Sequence, residues 1–333
     1  MLYKTKIMIL SGLAGVLALL YALTFIFDAR RVDGRRASYV WLDPEWQEQV
    51  DRVEITGAAG GEGVILVRRG DQWFVSRGEE YPARQTRIED FLRLLSGRFN
   101  YPVRGSSPAS YERLALTEET ASRIVVRGGA GVPLLDLLIG REDSTGSEVY
   151  LRRNNQNEVR SGEDRFSPYL TGSPTAWYNL RLFPDEALDP ESVQRLTVTA
   201  PAPRTLPGED APEGEPALVP SSLVFTRDGA AGGWTLGSAP VPDKQQVEVY
   251  VRTILDAEGE DFIAPAEGAD LPLNDGRIVL ELGDGSVRTI RVGYAPGDPE
   301  RLCAAVSGSP YIYALAEWTA ERIFRDAAYF GMQ

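Results

Sequence analysis

Carboxylates are the side chains of this sequence best able to do chemistry, and two acidic runs stand out. They are EGEDF (Glu258–Phe262) and GREDSTGSE (Gly140–Glu148). A close pair of carboxylates can act as general acid and base, and carboxylates in a loop can hold a calcium ion. Both runs fall in predicted loops, and neither has the D-x-[DN]-x-[DN]-G pattern of a calcium-binding loop. The sequence therefore assigns them no catalytic or metal-binding role.

Other reactive side chains are scarce. The chain of 333 residues has no histidine and a single cysteine, Cys303. Without histidine there is no Ser–His or Cys–His nucleophile pair and no imidazole ligand for a metal. Cys303 lies in the apolar run RLCAAV, which favours a buried hydrophobic role, and Lys244 begins a predicted amphipathic helix. We expect no catalytic residue, no cofactor-binding residue and no metal ligand, and therefore no enzyme.

Glycine clusters are the next candidates for a ligand site. GAAGGEG (Gly57–Gly63) and GGAG (Gly128–Gly131) lie between predicted strands, and no Gly-Lys-Ser/Thr follows either of them. A phosphate-binding loop instead joins a strand to a helix. LNDGRI (Leu273–Ile278) has the composition of a turn before a strand. We therefore predict no small-molecule ligand.

The charge of the chain restricts its partners. The formal net charge is −13 at pH 7, and all 48 acidic residues follow the first 27 residues. A strongly acidic surface repels phosphate backbones and anionic lipid. We therefore expect no nucleic-acid partner.

The N-terminal segment Ile7–Phe27 contains 21 residues and no charge. A helix of that length can cross the hydrocarbon core of a bilayer. Its bulky end, FIF, leads into DARR without a small-residue cleavage site, which predicts an uncleaved transmembrane anchor over residues 1–27. A juxtamembrane segment, residues 28–49, follows. Lysine and arginine flank the apolar segment on both sides, so their distribution leaves the orientation open.

Beyond the juxtamembrane segment, the order of predicted elements occurs twice. The strand VDRVEIT (Val50–Thr56) is matched by VQRLTVT (Val193–Thr199), and a strand with Trp73 is matched by one with Trp234. An amphipathic helix follows each tryptophan, and two strands joined by a glycine turn follow each helix. Recurrence of the whole order indicates an internal duplication.

The predicted fold class is therefore α+β. An N-terminal transmembrane helix precedes two tandem homologous units, each a mostly antiparallel sheet packed by an amphipathic helix. The units are residues 50–174 and 193–333, joined by an apolar connector over 175–192. A proline-rich, acidic segment over 201–220 predicts a disordered loop inside the second unit.

The two principal helices have predicted caps and apolar faces. Thr86 and Glu89 have the spacing of a capping box, and Asp243 is a candidate cap for the second helix. We expect Trp73 and Trp234 to be largely buried where each helix meets its sheet. The predicted apolar faces consist of Ile88, Phe91, Leu92 and Leu95, and of Val247, Tyr250, Val251 and Ile254.

Further aromatic residues lie in the last predicted helix and near the ends of other elements. In the last predicted helix, Leu315, Trp318, Thr319, Ile323 and Phe324 lie mostly on one face. Near predicted loops and element ends, the aromatic residues are core or interface, and the pattern does not separate the two roles. These residues are Tyr39, Trp41, Trp46 and Tyr101.

Together these features resemble the bacterial domain of unknown function family 4340. The resemblance rests on the N-terminal anchor, the repeated V-x-R-(V/L)-x-(I/V) strand, the GxxW turn before a helix, and the aromatic connector WYNLRLFP. It covers the chain after the anchor. The resemblance implies an extracytoplasmic domain on a single anchor, associated with an ABC-type transport system related to gliding-motility auxiliary proteins. It brings no catalytic residues.

The sequence thus favours a membrane-anchored, non-enzymatic accessory or scaffold protein. Its expected partners are the lipid bilayer, through residues 7–27, and a protein of an ABC-type transport complex. The expected location is the inner (cytoplasmic) membrane, with the soluble part outside the cytoplasm. An alternative is a cell-envelope enzyme or glycan-binding protein that uses a carboxylate pair in the inter-repeat cleft. A cytoplasm-facing tethered domain differs only in orientation.

Overall fold

The computed structural model describes residues 12, 14–18, 21, 38–170, 174–184, 188–201, 222–228, 233–264, 271–295 and 298–332. Within these ranges, no helix combines the length and the apolar character needed to cross a membrane. The predicted anchor, Ile7–Phe27, falls mostly on residues outside them, and so does the predicted loop 201–220 apart from its first residue. The chain divides into two compact units, unit 1 (residues 1–177) and unit 2 (residues 178–333).

Unit 1 is built on a nine-stranded antiparallel sheet. The strands of the unit are β1 Ser38–Tyr39, β2 Val50–Thr56, β3 Gly63–Arg69, β4 Gln72–Arg77, β5 Glu79–Pro82, β6 Phe99–Asn100, β7 Val103–Gly105, β8 Ser122–Gly128, β9 Pro133–Glu142, β10 Glu148–Arg153 and β11 Val159–Glu163. Across the large sheet their order is β5-β4-β3-β2-β8-β9-β10-β11-β7, while β1 and β6 form a separate pair.

Unit 2 is built on a second nine-stranded antiparallel sheet. Its strands are β12 Val193–Thr199, β13 Ser222–Asp228, β14 Gly233–Leu236, β15 Ala239–Pro240, β16 Asp261–Ile263, β17 Gly276–Leu282, β18 Val287–Ala295, β19 Asp298–Val306 and β20 Ile312–Leu315. Their order is β15-β14-β13-β12-β17-β18-β19-β20-β16. Strand for strand, this is the order of the sheet in unit 1.

Among the residues that the structure describes from Ser38 onward, each unit has one long α-helix and one short one. They are α1 Gln85–Ser96, α2 Ser167–Leu170, α3 Lys244–Leu255 and α4 Glu317–Ile323. The predicted apolar faces of α1 and α3 are buried as expected. Each long helix contacts the strand that carries Trp73 or Trp234, which is β4 for α1 and β14 for α3. Hydrophobic burial of one helix face therefore attaches each helix to its sheet.

The two tryptophans are core residues, as predicted. Trp73 is 5% exposed and Trp234 is 2% exposed. The backbone N–H of Trp73 donates to Gln85 Oε1 over 3.0 Å, and Gln85 Nε2 donates back to the Trp73 carbonyl over 3.1 Å. The first residue of α1 is therefore hydrogen-bonded to β4.

That contact replaces the predicted capping box, which is wrong. The N-cap residue of α1 is Arg84, it makes no side-chain cap bond, and Thr86 lies inside the helix. The cap at the second helix is confirmed, because Asp243 accepts hydrogen bonds from the backbone N–H groups of Gln245 and Gln246.

The last predicted helix is shorter than the sequence pattern suggests. Leu315 belongs to β20, which pairs with β19 and β16, and α4 begins only at Glu317. Thr319 and Ile323 are buried, but Trp318 is 58% exposed. Its predicted place on the buried face is wrong, because the short helix α4 packs against α3 and buries only Thr319 and Ile323.

A capped 3₁₀ helix precedes the first long strand in both units. The tetrapeptide Leu-Asp-Pro-Glu occurs at 42–45 and at 188–191. In each copy the aspartate caps a short 3₁₀ helix just before the first long strand, with Asp43 accepting from the N–H of Glu45 and Asp189 from that of Glu191. Both copies lie in segments that the sequence pattern assigned to the juxtamembrane region (28–49) and to the connector (175–192).

An aromatic residue closes each unit against its long helix. Trp177 packs edge-on against Phe91 of α1, with ring centroids 5.7 Å apart. Phe330 packs in the same manner against Tyr250 of α3 at 5.2 Å. Both closing residues end a short 3₁₀ helix. Tyr178, the next residue after Trp177, is buried in unit 2 against Phe262.

Candidate functional site

A cavity of about 390 Å³, lined by both polar and apolar groups, opens at one end of the sheet in unit 1. Three parts of the chain form it: β6 with the residue that follows, the start of β10, and the end of β11. Its lining residues are Phe99, Asn100, Tyr101, Ser147, Glu148, Gly162, Glu163 and Arg165. We call this cavity the β10–β11 pocket.

Two carboxylates stand opposite each other in this pocket. Glu148 and Glu163 are direct partners in the antiparallel register of β10 and β11. Such partners have Cβ atoms about 5 Å apart, and two like charges at that separation repel. An arginine offsets each charge: Arg104 donates to Glu148 Oε2 over 3.0 Å, and Arg165 donates to Glu163 Oε2.

Ser161 completes the arrangement around Glu148. Its hydroxyl donates to Glu148 Oε2 and accepts from Arg104 Nε over 2.7 Å. The Ser161 hydrogen bond first, and then that of Arg104, hold the pKa of Glu148 below its ordinary value. This carboxylate is therefore an ionised acceptor throughout the neutral range and is unsuited to act as a general acid.

The pocket keeps unused hydrogen-bonding capacity. Within the described ranges, Oε1 of Glu148 and Oε1 of Glu163 accept no hydrogen bond, because every contact of these carboxylates uses Oε2. Asn100 is exposed and its side chain has no hydrogen bond there either. The site thus offers two free acceptors and one free amide.

Close packing fixes the floor of the pocket. Tyr101 is 1% exposed, and its ring meets Trp41 edge-on at 5.3 Å. Burial raises the pKa of the Tyr101 hydroxyl, and the neighbouring Trp41 indole offsets part of that rise. A Cβ atom at Gly162 would lie 2.4 Å from the Tyr101 ring and 2.8 Å from the Asn100 carbonyl oxygen. Only glycine therefore fits at this point of β11.

The acidic runs singled out in the sequence have different places in the structure. In Gly140–Glu148, Asp143 stabilises its own turn by accepting from the N–H groups of Thr145, Ser147 and Glu148. Glu148 itself begins β10 and reaches the pocket. In Glu258–Phe262, the last two residues belong to β16 and not to a loop. The pairing of Glu148 with Glu163 depends on strand register, which the composition of either run does not reveal.

The aromatic candidates divide between core and surface. Trp41 and Tyr101 are buried, while Trp46 is 39% exposed. Tyr39 is half-buried beside two arginines, with the Arg160 guanidinium 3.9 Å from its ring centroid and Arg153 donating to its hydroxyl over 3.0 Å. Cation–π contact and hydrogen bonding thus give Tyr39 a structural role.

The glycine clusters and the cysteine have the expected structural roles. GAAGGEG joins β2 to β3 and GGAG joins β8 to β9, with left-handed backbone at Ala59 and Ala130. Such backbone is typical of tight hairpin turns. Cys303 is fully buried in β19.

A second surface feature lies on the two helices of unit 2. Trp318 of α4 is 58% exposed and Val249 of α3 is 54% exposed. Between the helices is a groove of about 140 Å³, lined by Thr253, Asp256, Ala257, Glu258, Trp318, Thr319, Arg322 and Ile323. Val249 lies one turn from Thr253, whose hydroxyl donates to the Val249 carbonyl. We call this region the α3–α4 surface.

Comparison with known proteins gives one family match. The model of DUF4340, described as a domain of unknown function, matches residues 73–229. No curated protein and no solved structure matches the chain. The matched segment begins at Trp73 in β4 and ends just after β13, so it covers most of unit 1 and the beginning of unit 2. The DUF4340 resemblance drawn from the sequence is therefore confirmed over residues 73–229.

Proposed function

We propose that this protein is a membrane-anchored, non-enzymatic accessory or scaffold protein that contacts an ABC-type transport system of the gliding-motility kind. The transport association comes from what the family resemblance implies. The anchor rests on the uncharged segment Ile7–Phe27. The soluble part would lie outside the cytoplasm, on the inner membrane.

The two units are best explained as copies of one ancestral domain. They have the same order of nine strands, the same Leu-Asp-Pro-Glu cap before the first long strand, and an aromatic closure at Trp177 or Phe330. A duplicated fold is a suitable base for surface recognition, because each copy can diverge on its exposed face while its core is kept.

The single observation that most supports recognition of a partner is the exposure of Trp318. A tryptophan that is more than half exposed keeps a large apolar ring in water, and tryptophan is the residue most enriched at the energetic centres of protein interfaces. Val249 is a second exposed apolar residue, on α3, and the Arg322 guanidinium lies 5.7 Å from the centroid of the Trp318 ring. The α3–α4 surface is therefore the proposed contact region.

Affinity purification of the full chain in mild detergent tests this function. We expect ATPase or permease subunits of an ABC-type transporter to co-purify. Trp318→Ala should lower their recovery at least about tenfold, as expected for an interface hot spot. Trp46→Ala is the matched control, because it removes a partly exposed tryptophan from unit 1 and should leave recovery unchanged. Recovery of the chain alone would rule the proposal out.

Orientation has its own test. The test uses a reporter that functions only outside the cytoplasm, fused after Gln333. We expect this fusion to be active. Activity of a cytoplasmic reporter at the same position would instead place both units inside the cell.

A further inference from the structure

The β10–β11 pocket has the size and composition of a ligand site. Its volume of about 390 Å³ falls in the range of small-molecule sites in proteins, and its polar groups converge from three separate parts of the chain. Nothing in the proposed contact through the α3–α4 surface uses this pocket, which lies within unit 1.

The charges of the pocket decide which kind of ligand fits. Glu148 and Glu163 are each already paired with an arginine, so the four side chains together carry no net charge. An added cation would compete with Arg104 and Arg165 for carboxylates that are already compensated. An added anion would meet two carboxylates placed side by side. A neutral ligand suffers neither disadvantage.

The free hydrogen-bonding groups of the pocket further restrict the class of ligand. Glu148 Oε1 and Glu163 Oε1 are open acceptors, and the Asn100 amide is an open donor and acceptor. The Ser147 hydroxyl is exposed at the same rim. A ligand with several neighbouring hydroxyl groups satisfies all of these, because each hydroxyl both donates and accepts. Carboxylate acceptors make the stronger, charge-assisted bonds with such donors.

We propose that the β10–β11 pocket binds a neutral saccharide, with Glu148 and Glu163 accepting hydrogen bonds from adjacent sugar hydroxyls. Arg104, Ser161 and Arg165 hold the two carboxylates in place through Oε2, which leaves Oε1 to the ligand. The half-buried ring of Phe99 has Arg165 over it at 4.6 Å, so the sugar is held by hydrogen bonds at the rim and not by stacking on this ring. The proposal does not depend on the transport association.

Saturation-transfer NMR on the full chain in lipid nanodiscs tests the ligand class. Detergents with sugar headgroups are avoided because they would compete. The probes are glucose, N-acetylglucosamine and cellobiose as neutral sugars, with glucosamine as the cationic and glucuronate as the anionic analogue. We expect transfer to at least one neutral sugar, with dissociation constants in the millimolar range or below, and weaker transfer to both charged analogues.

Substitutions test whether the saturation-transfer signal comes from a sugar bound in the β10–β11 pocket. Glu163→Ala should weaken binding of the neutral sugar about tenfold, since a hydrogen bond to a charged acceptor is lost. The Glu163 side chain is 69% exposed, so the fold should tolerate its removal. Glu281→Ala is the matched control: this glutamate of unit 2 is 47% exposed and faces Arg195, and its loss should leave binding unchanged.

Three results would overturn the proposal. The first is the absence of transfer to all three neutral sugars. The second is glucosamine or glucuronate binding as tightly as glucose, because the pocket would then select charge. The third is neutral-sugar binding that Glu163→Ala leaves unaltered while circular dichroism shows the variant folded.

Discussion

The guanidinium of Arg227 lies over the indole of Trp234, 4.6 Å from the ring centroid, and the two residues are direct partners across β13 and β14. Both also bind Glu248 of α3. Arg227 donates to its two oxygens over 2.8 and 3.1 Å, and Trp234 Nε1 donates to Oε1 over 2.9 Å. In unit 1 the same register pairs Arg68 with Trp73. Glu248 thus links α3 to β13 and β14 of unit 2 through hydrogen bonds.

Glu248→Ala should lower the free energy of unfolding of unit 2 by about 2–3 kcal/mol, because it leaves a mostly buried arginine without its carboxylate. Glu89→Ala is the matched control. Glu89 occupies the corresponding position in α1, is exposed, and has no hydrogen-bond partner in the described ranges, so its loss should cost less than about 0.5 kcal/mol. Urea unfolding followed by tryptophan fluorescence measures both. Equal losses would contradict the special role of Glu248.

Gln85→Ala should destabilise unit 1 by about 1–3 kcal/mol, since the part-buried backbone N–H of Trp73 loses its acceptor, while the Trp73 carbonyl keeps the N–H of Ala83. Thr86→Ala should change stability by less than about 0.5 kcal/mol, because Thr86 makes no cap bond. Thermal unfolding by circular dichroism distinguishes them. A larger effect at Thr86 than at Gln85 would restore the capping box and refute the structure at this helix end.

The ion pair on the sheet of unit 1 gives a pH prediction. Arg123 donates to both oxygens of Asp136 over 2.9 and 2.7 Å. Burial acts to raise the pKa of Asp136, but the hydrogen bonds from Arg123 and Asn154 outweigh it and hold the pKa below its ordinary value. A lowered pKa stabilises the fold above the unfolded-state value and ceases to do so as pH falls through the folded-state value.

Asp136→Asn should therefore lower the free energy of unfolding at pH 7. The difference in this free energy between variant and parent should narrow below about pH 4. Urea midpoints at pH 7 and at about pH 2.5 measure this gap. Glu281→Gln is the control, because Glu281 is exposed and its contact with Arg195 is longer, at 3.9 Å. We expect little change in its urea midpoint at either pH. A gap for Asp136→Asn that is constant with pH would contradict the assignment.

Gly162→Ala should destabilise unit 1 by about 1–3 kcal/mol, because the added methyl group collides with the Tyr101 ring and the Asn100 carbonyl. Gly105→Ala, on the neighbouring strand β7, has open space at the same position and is the control. Differential scanning calorimetry compares the two. If both variants melt together with the parent protein, the floor of the pocket is looser than described.

Much of the fold could be predicted from local patterns. The apolar spacing of Ile88, Phe91, Leu92 and Leu95 predicts the buried face of α1, and Asp243 predicts the cap of α3, because both depend on neighbours within one helix. Trp318 shows where such patterns fail. Its helical spacing from Leu315 is genuine, but the strand pairing of Leu315 takes precedence, and Trp318 is left facing solvent.

The candidate site was beyond prediction for a related reason. Glu148 and Glu163 become partners only through the register of β10 and β11, and a shift of one residue would place them on opposite faces. Gly162 gives a weak signal in retrospect, as a glycine inside a strand marks a close approach of another part of the chain. The repeated Leu-Asp-Pro-Glu was visible in the sequence and would have marked the start of both units.

Trp177 and Tyr178 are consecutive, yet the first is the closing aromatic of unit 1 and the second is packed in unit 2. No slack segment separates the two cores. The connection is therefore a single peptide bond between two packed aromatic rings, and a residue inserted there would shift at least one ring out of its core.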